Sequence, residues 1–279
     1  MKFRPVAALV LCAALLLTAC FELPPAAAQS RYGDLNKEPW FPGNPQAAAL
    51  ALAAEHGDVK EIRRLMKDEG VNPDTVFTKE GTPLVAWPIF TKNPAGLKAM
   101  LENGADPDAF LLHPMQHTTR FKGRIKNNAM VWAAKADDPV YLKLLLDHGG
   151  NPNTRNSNGE TLLLQAKFSG AWENIELLVE RGADVNALSQ QRAFLDEYAG
   201  LGSFVRTLWL LEHGAKPTKH TIDNIFWHPG NPKEPQWQRD CQQWLLQHGY
   251  ERPPVMSEGN RTLREAYGFP TDEKNIPLL

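Results

Sequence analysis

Glu180-Arg181-Gly182-Ala183-Asp184-Val185 is one version of a string that returns along the chain. Its other versions are Glu102-Asn103-Gly104-Ala105-Asp106-Pro107, Asp147-His148-Gly149-Gly150-Asn151-Pro152, Glu212-His213-Gly214-Ala215-Lys216-Pro217 and Gln247-His248-Gly249-Tyr250. An earlier relative is Asp68-Glu69-Gly70-Val71-Asn72-Pro73. The marker glycines stand at 70, 104, 149, 182, 214 and 249, with spacings of 34, 45, 33, 32 and 35. Self-similarity at a near-constant period is the signature of a stacked repeat array. Leucine-rich segments precede the markers at Leu142 to Leu146, Ile175 to Val179, Leu208 to Leu211 and Trp244 to Leu246. Glycine takes the left-handed conformation at little cost, so each marker reads as a helix end. The Asp or Asn that follows, often before Pro, opens a turn.

Upstream of the markers lie Thr82-Pro83-Leu84, Met130 to Ala134, and Gly159-Glu160-Thr161-Leu162-Leu163-Leu164-Gln165-Ala166. Together with the period, these segments resemble the Thr-Pro-Leu-His-x-Ala-Ala pattern of ankyrin repeats. Ala53-Ala54-Glu55-His56-Gly57-Asp58 is similar to the end of a first-repeat helix and its turn. The resemblance spans residues 44–253, about three quarters of the chain. It implies an all-α repeat solenoid of about six helix-turn-helix units with β-hairpin fingers, the terminal units degenerate because end caps face water. Pro88 falls inside the first helix of the second unit and should shorten or kink it.

The family resemblance also implies a protein-binding wall of finger tips and first-helix ends. Carried over position by position, it points to Glu55 and His56 in the first unit and Lys79 in the second. In the third unit it gives Arg124, Ile125, Asn127, Lys135 and Ala136. The fourth gives Ser157, Asn158, Glu160, Phe168 and Ser169, and the fifth Ser189, Gln190, Arg192, Gly200 and Leu201.

Three features break the period. The 45-residue interval places its excess between Asp108 and Asn128, where a finger belongs. That stretch carries Arg120, Lys122, Arg124 and Lys126 with no acidic residue after Asp108, and among its apolar residues and histidines are Phe110, His113 and Phe121. A basic, partly apolar finger suits an acidic partner surface. The second feature is the proline-rich loop from Trp227 to Trp237, whose tryptophans read either as interface anchors or as packing for the C-terminal end. The third is the tail, residues 254–279, where Ser257 or Asn260 could cap a short helix that covers the last repeat.

Residues 1–19 read as an export signal: Lys2 and Arg4, then the apolar run Val6 to Leu17, too short to span a bilayer. Leu17-Thr18-Ala19-Cys20 resembles the bacterial lipobox, which implies diacylglycerol on the Cys20 thiol and cleavage before it. Phe21 rather than Asp after that cysteine points, by the same resemblance, to the outer membrane, with the domain facing the periplasm or the cell surface. Residues 20–43, rich in Pro and Ala, then form the lipid anchor and a flexible tether.

The formal charge of −2, and of −4 once Lys2 and Arg4 are removed, offers no field for nucleic acid. Cys12 leaves with the leader, so Cys241 is a lone, small apolar residue. His113 and His117 are interrupted by Pro114 and lack a third ligand, so no metal is expected. Gly202-Ser203-Phe204 lacks the second glycine of a nucleophile elbow. No catalytic residues and no cofactor are expected, and the chain should be monomeric until bound. In layout the whole resembles immunity lipoproteins that neutralise type VI secretion phospholipase effectors, which implies a secreted toxin or lipase as protein partner. The alternative is a periplasmic scaffold or a partner of an envelope stress enzyme.

Overall fold

The computed structural model describes residues 40–41, 43–78, 81–110, 127–276 and 278. The leader, Cys20, Lys79 and residues 111–126 lie outside the described residues, and with them His113, Arg120, Phe121, Lys122, Arg124 and Lys126.

Helices come in antiparallel pairs. The first pair is α1 (Pro45–His56) with α2 (Val59–Arg63), which runs on into a π-helical turn. Then come α3 (Trp87–Phe90) with α4 (Pro94–Glu102), α5 (Ala129–Ala134) with α6 (Val140–Asp147), and α7 (Leu162–Ser169) with α8 (Trp172–Glu180). The last are α9 (Asp196–Ala199) with α10 (Phe204–Glu212), and α11 (Lys219–Trp227) with α12 (Pro235–Gln247). The helix α13 (Glu258–Ala266) closes the stack. Buried Leu and Ile of the second helices, among them Leu97, Leu145, Leu178 and Leu210, meet buried Ala of the first helices, among them Ala54, Ala133 and Ala166, in one continuous core. Small side chains on one partner let the helix axes approach; at Gly96 a Cβ would stand 1.9 Å from the Ala54 carbonyl oxygen.

The marker works as its chemistry predicts. Gly182 has φ +87°, its N–H reaches the Val179 carbonyl, and the Ala183 N–H reaches Leu178 at 2.8 Å. That pair of bonds is the glycine-terminated helix end that satisfies the last free carbonyls. The same closure recurs at Ala105, Gly150, Ala215 and Tyr250.

Beyond each marker a second device joins the units. The Asp or Asn two residues after the glycine folds its side chain onto the backbone N–H two residues further on, at Asn72, Asp106, Asn151 and Asp184. The residue four after the glycine then reaches the next unit. Asp74 accepts from the Asp106 N–H at 2.8 Å and Asp108 from Asn151 at 2.7 Å. Asn153 accepts from Asp184 at 2.7 Å and Asn186 from Lys216 at 2.8 Å. These four rungs tie consecutive fingers at their bases. A further tie crosses near the helix ends: the buried Asn174 amide donates to the Ala133, Ala134 and Ala136 carbonyls.

Two expectations change, and the one for Pro88 holds. The fingers are not strand hairpins: among the described residues each is pinned by one antiparallel bridge, at Phe77–Pro83, Arg155–Thr161 or Ser189–Arg192. Residues 40 and 41, expected in the tether, pack on the stack: Phe41 is buried and its ring lies 5.6 Å from Trp87, with Trp40 5.9 Å away on the same indole. Pro88 splits the first helix of its unit into a 3-10 turn, Leu84–Ala86, and the short α3. Of the two loop tryptophans, Trp227 is core and Trp237 is exposed on α12. In the tail, Ser257 starts α13, and Asn260 and Ser257 both donate to the Asp223 carboxylate of α11.

Candidate recognition surface

The fingers of the fourth and fifth units form one cross-linked body. Asn156 begins the fourth, folding its side-chain oxygen onto the N–H groups of Asn158 and Glu160. Glu160 is 7% exposed, so it is no contact residue, and that expectation is corrected. Its carboxylate accepts from the side-chain amides of Asn156 at 2.7 Å, Asn158 at 3.0 Å, Gln165 at 2.8 Å and, across the gap, Gln190 at 2.6 Å. A carboxylate removed from water must be fully hydrogen-bonded, and four amide donors meet that need here. Arg155 adds a second bracket, donating to the carbonyls of Gly159 in its own finger and Leu188 in the next. The Thr161 N–H closes a third, to the Ser189 hydroxyl.

The tip of the fifth finger is a two-residue turn, Gln190–Gln191, with φ +50° and +61°. Both signs match the tight hairpin turn that twists with its flanking chain, yet neither residue is the Asn or Gly that adopts it cheaply. Ser157, Asn158, Gln190 and Arg192 are exposed on these two fingers. Leu188 joins them at 55% exposure.

The first-helix ends supply the rest of the wall. Phe168, at the end of α7, is 62% exposed, and Leu201 after α9 is 67% exposed. Lys167 lies 5.5 Å from the Phe168 ring while its ammonium pairs with Glu197 at 2.6 Å, which ties α7 to α9. Lys135 lies over Trp132 at 4.9 Å, and Trp132 meets Phe90 edge-on at 4.9 Å. These rings, with Tyr141, Ser169, Asp137 and Asp138, line a cleft of about 640 Å³. Burial, and then the Asp138 charge, push the Tyr141 phenol up to about 12, so it stays a neutral donor. Behind the wall, Arg206 stacks over Trp172 at 5.0 Å and Trp172 meets Trp209 edge-on at 5.4 Å.

Phe110 and Asn127 are half-buried at the two ends of the long interval whose centre lies outside the described residues. Cys241 is buried, and burial pushes its thiol up, in keeping with a packing residue. The sequence reading missed Leu188, the cleft rings and the Arg155 bracket. Only Leu188 had a signal, an apolar residue beside a turn in an otherwise polar finger.

A family model described as ankyrin repeats (3 copies) matches residues 109–189. The fold is that of ankyrin repeats. The ankyrin repeat domain of Bcl-3, a unique member of the IkappaB protein family, superposes with a TM-score of 0.54 over 73% of this chain and 86% of its own, at 22% identity. Protein PhlB of Serratia liquefaciens is 32% identical over 139 residues, which is 49% of this chain and 54% of PhlB. The human SH3 and multiple ankyrin repeat domains protein 2 is 29% identical over 141 residues, half of this chain and 7% of that protein. The chain thus aligns with about half of PhlB and a small part of the human protein. An ankyrin stack is typically a scaffold for binding proteins.

Proposed function

We propose that this protein captures and neutralises a secreted effector, such as a phospholipase, from a position on the outer membrane held by a lipid on Cys20. The observation that carries the reading is the composition of the wall. Phe168, Leu188 and Leu201 stand exposed. Beside them Glu160 is consumed by internal amides and Glu197 by Lys167, which leaves Arg155 and Arg192 to set the charge of the two fingers, while Asp137 and Asp138 stand beside Lys135 in the cleft. Apolar anchors in a basic surround fit an acidic protein surface with apolar sockets. The basic composition of residues 120–126 has the same sign. The lipobox-like leader and the likeness to a Serratia protein support a bacterial envelope setting.

The test is co-expression of the full chain with the secreted effector encoded beside it. Growth rescue and co-purification are expected, and both should weaken when Phe168 and Leu201 are changed to Asp. Neither rescue nor co-purification would reject the reading. A deletion strain sensitive to peroxide but not to attack by sister cells would favour the envelope stress role instead. Cys20→Ala should release the protein from the membrane fraction.

A further inference from the structure

The C-terminal cap buries a cation that has no carboxylate partner among the described residues. Arg264 on α13 is 6% exposed. Its Nε donates to the Pro270 carbonyl at 2.6 Å and its Nη1 to the Trp227 carbonyl at 3.0 Å. Among the described residues its Nη2 makes no hydrogen bond, and no carboxylate lies within ion-pair distance of the guanidinium. The adjacent arginine gives no relief. Arg252 stacks on Trp227 at 4.0 Å and donates to the Ile276 carbonyl at 2.6 Å. Glu273 is engaged by Arg261 at 2.5 Å and Asp223 by Ser257 and Asn260. Burial pushes the pKa of Arg264 down, and the Arg252 charge pushes it the same way.

Arg264 lines a cavity of about 190 Å³ together with His228, the polar side chains Gln238, Gln242 and Asn275, and the apolar side chains Phe226, Phe269 and Ile276. His228 accepts the Gly230 N–H on Nδ1 at 3.0 Å, so in the neutral ring Nε2 carries the proton and is a donor. Burial, followed by the Arg264 charge, lowers the His228 pKa and favours that neutral ring. A buried cation is costly unless an anion meets it. We propose that this cavity binds a small carboxylate: its oxygens facing the Arg264 guanidinium and the His228 N–H, its short aliphatic part against Phe226, Phe269 and Ile276. Guanidinium and carboxylate match in shape as well as charge, and the apolar walls favour an aliphatic acid over a fully hydrated inorganic anion.

The site is separate from the recognition wall, so its test is separate too. The full chain is titrated with sodium propionate at fixed ionic strength, and Tm is followed. A ligand held only by the folded state raises Tm saturably, here by about 5 °C at a hundredfold excess over half-saturation. Propionamide, the uncharged counterpart, and matched sodium chloride should give no saturable rise. Arg264→Gln should abolish the response. If that variant does not fold, Ile276→Trp, which fills the cavity and keeps the guanidinium, should abolish it instead. A flat propionate titration, an equal rise with propionamide or chloride, or a full response from either folded variant would overturn the proposal.

Discussion

The middle of the stack and its C-terminal end are held by different chemistry. Between the first and fifth units the same small device repeats: a glycine helix end, an Asp or Asn turn, and a side chain that reaches the next unit's backbone. At the sixth unit the device stops, because Lys216 and Thr218 occupy its two side-chain positions. Thr218 instead caps α11 and bonds Asp196 at 2.6 Å. From there outward the structure depends on single buried polar groups: Asp223, with three donors, and Arg264, with two carbonyls. Repetition spreads the load over interchangeable rungs, whereas the cap concentrates it on residues without substitutes.

That contrast can be broken at its heaviest point first. Asp223→Ala leaves the Asn260 amide and the Ser257 donors unmet, and should cost about 3 kcal/mol and fray α13. Asn153→Ala, which removes one rung, should cost only about 1–2 kcal/mol. Urea melts of the two variants read the difference; equal losses would erase the distinction.

Glu160→Ala tests whether the two fingers act as one body. Four amide donors lose their acceptor, so about 2–3 kcal/mol should be lost. Amide exchange should speed up at Gln190 and Gln191 as well as in residues 155–160. Faster exchange in the fourth finger alone would separate the fingers.

The rungs themselves fall into two kinds. Asn153 and Asn186 both accept and donate, the latter to the Gly182 and Gly214 carbonyls. Asp74 and Asp108 only accept, and burial raises the pKa of both. A carboxyl whose folded pKa is raised binds its proton more tightly when folded, so these two rungs gain stability as pH falls toward the carboxylate range and lose it as pH rises. Asp108→Asn should therefore stabilise the fold at neutral pH, by about 0.5–1 kcal/mol from the added amide bond, and flatten the acid side of a Tm-against-pH curve. Lower stability at neutral pH would show that the charge itself is needed.

How much of this was legible in sequence follows the same division. The stack could be read because its signals are local: a glycine, its Asp or Asn and a leucine-rich helix lie within a dozen residues at a steady period. Ser257 was legible as a cap for the same reason. Glu160 was not, because a glutamate beside a turn looks solvated, and its fourth amide partner, Gln190, lies 30 residues on. The docking of Trp40 and Phe41 was hidden inside a Pro- and Ala-rich stretch, since the indole they pack on belongs to the second unit. Arg264 has the composition of an exposed helix residue, and only the fold removes it from water. The wall fell between: Phe168, Asn158, Gln190 and Arg192 were placed by repeat position, but the cleft of Phe90, Trp132 and Tyr141 arises from contact between units.

Hydrogen exchange of the full chain, with and without the effector proposed as its partner, addresses the recognition wall most directly. Protection should concentrate at residues 155–160, 166–170 and 187–202, with the outward faces of α8 and α10 unchanged. Protection confined to those second helices, with the fingers exchanging as in the free protein, would contradict the account.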